Sequence, residues 1–323
     1  MGHRGAADRC QGGLTTASCS ELSPEPFDSF YSQLSMKLIS YQHQNTVHYG
    51  IQLDTGVVDA RACLPGAPAS INDFAAWVAD HPDWKTTLQS NAAKQAAIPI
   101  SQVTLLPCVP RPSKILCLGV NYHDHAAEGG NKVADYPTIF FRGPSSLVAH
   151  EGIIPIPSIS TALDYEAELA LVIGRTARNV SEADALKHVF AYACFNDGSF
   201  RDYQRKTTQW TVGKNFDATG GFGPWLVPAD ELPAGCIGLH IESRLNGKVM
   251  QSASTTDMVF HVAPTIAMMS ACMTLEPGDV IVMGTPAGVG YARKPPVWMR
   301  EGDVIEIEVE GIGVLRNHVK NAR

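Results

Sequence analysis

Three acidic residues open the chemistry of this chain. In Asp164-Tyr-Glu166-Ala-Glu168-Leu-Ala-Leu-Val-Ile173, two glutamates stand one residue apart at the head of an apolar run. On a strand, residues i and i+2 share a face, roughly 6.5–7 Å apart. On a helix they diverge by about 200°. The apolar run Leu169-Ala-Leu-Val-Ile173 argues for a buried strand. Two carboxylates entering such a strand on one face repel each other unless a cation lies between them. Asp197, in Cys194-Phe-Asn-Asp-Gly-Ser-Phe-Arg-Asp202, supplies a third carboxylate if its strand is a neighbour. A facial set of hard oxygen ligands suits Mg²⁺ or Mn²⁺, with Ca²⁺ also admitted, better than Zn²⁺. The same spacing also describes an ordinary acidic face. Glu306-Ile-Glu308-Val-Glu310 repeats it in strict polar/apolar alternation, and that copy reads as a half-buried strand with a solvated side.

Other polar groups cluster nearby in sequence. In Asn121-Tyr-His-Asp-His125-Ala-Ala-Glu128, a helical turn sets His125 and Glu128 at i, i+3 on one face. A carboxylate beside an imidazole fixes its tautomer and raises its basicity, as a general base requires. Gly129-Gly130 then offers a hinge for a lid. The plain alternative is an exposed His/Glu pair before a glycine stop. Arg201 and Gln204 are placed to clamp a substrate carboxylate or carbonyl, or else belong to a solvated loop. Lys214, in the Gly-rich stretch Thr211–Trp225, is a candidate for stabilising a developing oxyanion, against the commoner fate of an exposed lysine. No phosphate-loop pattern occurs there. Thr285, in Gly284-Thr-Pro-Ala-Gly-Val-Gly290, carries the one side-chain hydroxyl of its loop.

Elements must position these groups. Residues 1–35 are rich in Gly, Ser and Thr, lack periodicity and read as disordered, with Met36 as the expected physiological start. Residues 36–110 read as a small N-terminal α/β module, with strands near 37–42 and 46–53 and helices near 71–80 and 85–96. Pro107 to Pro112 form a stiff link into a catalytic domain spanning 111–323. There the strands fall near 114–120, 138–142, 165–174, 189–198, 238–245, 279–283 and 303–309, with helices near 181–187 and 258–271. Thr211–Trp225 reads as a loop, and Leu245-Asn-Gly-Lys248 as a two-residue hairpin turn. The class is α+β, mainly β: a mixed β-sandwich roll beside the N-terminal module.

Composition narrows the function classes. The chain has 323 residues, 45% hydrophobic and 18% charged, with a net charge of −7 and interspersed signs. That argues against nucleic acid or an anionic membrane as partner. No apolar run reaches the length of a membrane span. Eight scattered cysteines without a C-x-x-C pair read as free thiols in a reducing, cytoplasmic setting.

Taken together, Gly119-Val-Asn-Tyr-His-Asp-His125-Ala-Ala-Glu128, Asp164-Tyr-Glu166-Ala-Glu168-Leu, Asn196-Asp197, Gly213-Lys214-Asn-Phe-Asp217, Phe222-Gly-Pro-Trp225, Gly284-Thr285-Pro-Ala-Gly-Val289 and Gly302-Asp303-Val resemble the fumarylacetoacetate hydrolase family. The resemblance covers roughly residues 113–320. It implies a homodimeric mixed β roll that binds Mg²⁺ or Mn²⁺ through positions matching Glu166, Glu168 and Asp197. It also implies a His–Glu pair on a lid, matching His125 and Glu128, and a lysine matching Lys214. Tyr122, Arg142, Arg201, Gln204 and Thr285 are the implied substrate contacts. Many members carry Phe-Leu-Lys-Pro where this chain reads Phe141-Arg142-Gly143-Pro144. The implied substrate is a small 2-oxo acid. Hydrolysis of a C–C bond in a 2,4-dioxo acid is the favoured reaction. Isomerisation of a 2-hydroxyhepta-2,4-diene-1,7-dioate and decarboxylation or tautomerisation of oxaloacetate share its enolate. A metal-stabilised binding protein is the non-enzymatic alternative, and the His125–Glu128 pair argues against it.

Overall fold

The computed structural model describes residues 1–2, 35–128 and 135–322. The expectations for the N-terminal stretch through residue 34 and for the Gly129-Gly130 hinge lie outside them. Two β-sheets pack face to face. The larger has eleven strands, nine of them in the order Gly56–Asp59, Thr46–Leu53, Leu38–His43, Gly220–Pro228, Val189–Asp197, Ala167–Ile173, Val280–Val282, Ile115–Gly119 and Thr138–Phe141. The smaller has five, in the order Lys248–Ser254, His240–Leu245, Val304–Val309, Gly313–Asn321 and Ile153–Ile156. Both sheets mix parallel and antiparallel pairs, as the expected mixed β-sandwich roll requires.

The apolar run after Glu168 is explained by its place in this stack. Leu169, Leu171 and Ile173 face the smaller sheet and pack with Ile241, Ile305, Ile307 and Leu315. Ala170 and Val172 face the other way, into a core shared with Ile71, Phe74, Trp84 and Leu88 of the N-terminal segment. A strand covered on both faces loses the polar alternation of a surface strand. The second Glu-x-Glu keeps that alternation, because Val304–Val309 is covered on one face only. There Arg244 donates to Glu306 at 3.0 Å and to Glu308 at 2.5 Å on the open side.

One expectation is corrected. The Gly-rich stretch expected as a loop contains the helical turn Thr211–Lys214 and then the strand Gly220–Pro228, which lies near the middle of the larger sheet. Glycine and proline weigh against a strand by propensity, but here small residues are needed. A Cβ on Gly220 would stand 2.8 Å from Arg142 Nη2. The strand pairs with both Val189–Asp197 and Leu38–His43, so the N-terminal strands extend the same sheet. Gly313–Asn321 and Ile153–Ile156 were not anticipated, and they close the smaller sheet in parallel.

Cys63, Cys108, Cys117, Cys194 and Cys236 are buried free thiols, whereas Cys272 is exposed. Among the described residues no helix is long and apolar enough to cross a membrane.

Candidate active site

The i, i+2 rule delivers the three acids to one point. Ala167–Ile173 and Val189–Asp197 pair antiparallel, with Glu168 opposite Phe195 and Ala167 opposite Asn196. Beyond the ladder, the Asp197 amide donates to the Glu166 carbonyl at 3.0 Å. Asn196 Oδ1 accepts from the Glu166 amide at 3.1 Å. Glu166, Glu168 and Asp197 therefore share a face at the strand ends. All three are buried, and one carboxylate oxygen from each lies within 4.8 Å of the others.

Such a cluster needs positive charge, and three buried cations partly supply it. Lys214 Nζ donates to Glu166 Oε2 and Asp197 Oδ2, each at 2.5 Å. Arg201 reaches Glu166 Oε1 at 2.6 Å through Nη2 and Asp164 Oδ2 at 2.8 Å through Nε. Arg142 pairs with Asp197 Oδ1 and also donates to Thr219 Oγ1 at 2.9 Å. Burial would push Glu166 up, but Arg201 and Lys214 hold its carboxyl well below the usual range. The Lys214 ammonium, which burial would discharge, is held above its ordinary value by Asp197 and Glu166.

Glu168 is the exception. Among the described residues its carboxylate receives one hydrogen bond, from the Gly284 amide at 2.5 Å. Gly284 has φ +85°, and a Cβ there would meet Asn121 Cβ at 2.7 Å, so a glycine is needed to aim that N–H. Burial, and then the charges of Asp197 and Glu166, push Glu168 well above the carboxylate range. An under-neutralised buried carboxylate beside two others is the environment a hard divalent cation relieves. The donor set fits a hard divalent cation such as Mg²⁺ or Mn²⁺, which Glu166, Glu168 and Asp197 could hold.

Glu166 and Glu168 form one side of a cavity of about 240 Å³, also lined by His125, Phe140, Arg201, Gln204, Arg205, Trp210, Lys214, Thr285 and Tyr291. His125 is buried, and its Nδ1 lies 3.3 Å from Glu128 Oε2. Glu128 is itself anchored by the Gly288 amide at 3.1 Å. Thr285 Oγ1 donates to the Ala167 carbonyl at 2.9 Å and accepts from Gln251 Nε2 at 2.7 Å. Gln204 Oε1 accepts from Arg201 Nη1 at 2.9 Å.

Seven expected positions besides the acids thus gather here or beside them, but several do something other than expected. Lys214 bridges two of the acids instead of standing free for an oxyanion. Arg201 is committed to Asp164, Glu166 and Gln204. Arg142 lies outside the cavity lining and braces Asp197 from behind. Tyr122 lies in the hydrophobic core outside that lining. Burial and the nearby charge of Glu168 raise its phenol well above the ordinary range. Long-range packing decides these placements, and residue spacing carries no signal of them.

Sequence reasoning passed over Asp164. It is fully buried, accepts from Arg201 and from the Gly290 and Tyr291 amides at 2.7 and 3.1 Å, and so ties the Gly284–Tyr291 loop to the guanidinium. Its position two residues before Glu166, on the same face of an extended chain, was the available signal. Trp210, Phe140, Arg205 and Tyr291, which complete the cavity wall, were also missed.

Comparison with known proteins agrees with this geometry. Residues 114–320 match the family model described as fumarylacetoacetate (FAA) hydrolase C-terminal. A mitochondrial oxaloacetate tautomerase, Fahd2a of Rattus norvegicus, is 37% identical over 290 residues, covering 88% of this chain and 92% of that protein. Among solved structures, maleylpyruvate hydrolase from Sphingobium sp. SYK-6, in complex with manganese(II) and pyruvate, superposes with a TM-score of 0.73 at 29% identity. The match covers 89% of this chain and 100% of that one. The 2-hydroxyhepta-2,4-diene-1,7-dioate isomerase from Mycobacterium marinum gives 0.66 at 29% identity, with 89% and 99% covered.

Proposed function

The chain belongs to the fumarylacetoacetate hydrolase family, and from that premise we propose that it is a divalent-metal-dependent tautomerase of a small 2-oxo dicarboxylate, with oxaloacetate as the model substrate. The observation that carries this reading is the cavity. At about 240 Å³ it is smaller than the roughly 300–1,000 Å³ of sites for drug-sized ligands. It joins two of the three acids, cationic groups and one imidazole. The full-length similarity to an oxaloacetate tautomerase supports the same substrate class.

A divalent cation held by Glu166, Glu168 and Asp197 would polarise the 2-oxo acid and acidify its C3 protons. The remaining work falls to side chains. Glu128 accepts a hydrogen bond from His125 Nδ1–H, which fixes the tautomer and leaves Nε2 as the base. His125 Nε2 takes a proton from C3, and the C3–H electron pair moves to form C2=C3. The Glu128 carboxylate stabilises the imidazolium. His125 then returns the proton to the C2 oxygen, giving the enol; the reverse path gives the ketone. No water is consumed and no C–C bond breaks. Lys214, Arg201 and Arg142 hold the acids in register and limit their repulsion. Phe140 and Trp210 screen the reacting carbon from bulk water.

A second reading, hydrolysis of a 2,4-dioxo acid, uses the same base on water and is favoured by the likeness to maleylpyruvate hydrolase. The test separates them. Purified protein with Mn²⁺ should speed the decay of the oxaloacetate enol absorbance, with no pyruvate formed, and EDTA should abolish the effect. Pyruvate release from acetylpyruvate without enol turnover would replace this reading with the hydrolase. The homodimer belongs to the same proposal and is checked by sedimentation.

A further inference from the structure

The cations at the site are unequally employed. Arg142, Arg201 and Lys214 are each bound to buried carboxylates. Arg205 also lines the cavity but, unlike those three, is exposed, and among the described residues its side chain has no hydrogen-bond or ion-pair partner. Its guanidinium instead stands over the ring of Tyr291, 4.3 Å from the centroid. Arg201 stands 4.5 Å from the same ring. Tyr291 is fixed in turn, because its amide donates to Asp164 at 3.1 Å. A cation resting on an aromatic face keeps its planar fork of N–H donors available at the edge.

Charge balance says what that fork would take. The four buried carboxylates, Asp164, Glu166, Glu168 and Asp197, outnumber the three buried cations by one. A bound divalent cation reverses that excess to one positive charge, and the carboxylate of a 2-oxo acid cancels it. A second substrate carboxylate then has no buried partner left, and Arg205 is the cavity-lining cation able to receive it. Building on the reading of the substrate as a 2-oxo dicarboxylate, we propose that Arg205 is the receptor for the distal carboxylate and the residue that selects dicarboxylates over monocarboxylates. Tyr291 is its positioning residue, acting through the face on which the guanidinium rests.

The experiment measures binding to the Mn²⁺-loaded full-length protein by calorimetry, with oxaloacetate and pyruvate as probes, alongside tautomerase kinetics. Arg205→Met should weaken oxaloacetate binding by about tenfold to a hundredfold, the range expected for losing a charged hydrogen-bonded pair, and leave pyruvate binding unchanged. KM for oxaloacetate should rise while kcat stays within a few-fold, because the lost contact is equal in ground and transition states. Tyr291→Leu should shift oxaloacetate in the same direction, and Tyr291→Phe, which keeps the ring, should restore it. Equal losses for both probes in Arg205→Met, or no loss for either, overturn the proposal, as does wild-type protein that binds oxaloacetate no better than pyruvate. Wild-type protein that binds oxaloacetate selectively through Arg205 but does not tautomerise it would sink the reaction proposed above and leave this receptor intact.

Discussion

Replacing Glu168 by glutamine should separate metal binding from folding. Glu168 is 1% exposed and surrounded by Asp197 and Glu166, with one N–H donor from Gly284. Glutamine has the shape of the protonated acid and keeps the oxygen that Gly284 contacts. The folded-state value of Glu168 is raised by burial and then by its acidic neighbours. Its contribution to stability is therefore fully present below the ordinary carboxylate value and is lost as pH rises through the raised one. Without metal, Glu168→Gln should match wild type below the ordinary carboxylate value, about pH 4, and become the more stable of the two as pH rises above it. With Mn²⁺ the order reverses. A cation at a hundred times its Kd adds about 2.7 kcal/mol to the wild type. For a chain of this size that is roughly 5 °C in Tm. Glu168→Gln should lose nearly all of that shift. The assay is thermal unfolding by circular dichroism at several pH values, with Mn²⁺ or EDTA. An undiminished Mn²⁺ shift in the variant would remove Glu168 from the metal site. A metal-free variant several kcal/mol less stable than wild type would show that the carboxylate is held by a cation the geometry does not reveal.

Three other variants probe the surrounding shell. His125→Asn should lower kcat on oxaloacetate by about 10²–10⁴-fold and leave the Mn²⁺-induced Tm shift intact, since His125 is not among the acids; loss of that shift would make it a ligand instead. Arg142→Lys should weaken Mn²⁺ affinity by roughly 10–100-fold, because lysine cannot brace Asp197 while also reaching Thr219 and Ser146; titration calorimetry reads this directly. Asp164→Ala strands the buried Arg201 guanidinium and frees the Gly290 and Tyr291 amides. Urea denaturation should show a loss of about 3–5 kcal/mol, and a loss under 1 kcal/mol would mean that Glu166 and Gln204 alone suffice for Arg201.

Local pattern and tertiary packing determined different parts of this protein. The period-2 geometry of a strand put Glu166 and Glu168 on one face whatever the fold, and the strand carrying Asp197 then needed only to be the neighbour. The apolar run of 169–173, the helical turn joining His125 to Glu128 and the hairpin at Asn246-Gly247 are likewise local consequences of residue type and spacing. Tertiary structure decided what local pattern does not encode. Gly220–Pro228 became a central strand against its own propensity, its glycines at 220, 221 and 223 lying where an added Cβ would crowd Arg142, Asn317 and His150. Lys214 and Arg201, free cations in sequence terms, were drawn onto buried acids from residues 17 to 48 positions away. Tyr122 went to the core, although it stands in the same motif as His125. Arg205 carries no sequence signal of its own. It is exposed, and it is singled out only when the buried cations Arg142, Arg201 and Lys214 are found already paired, because the charge balance of a site is a property of the whole assembly of groups.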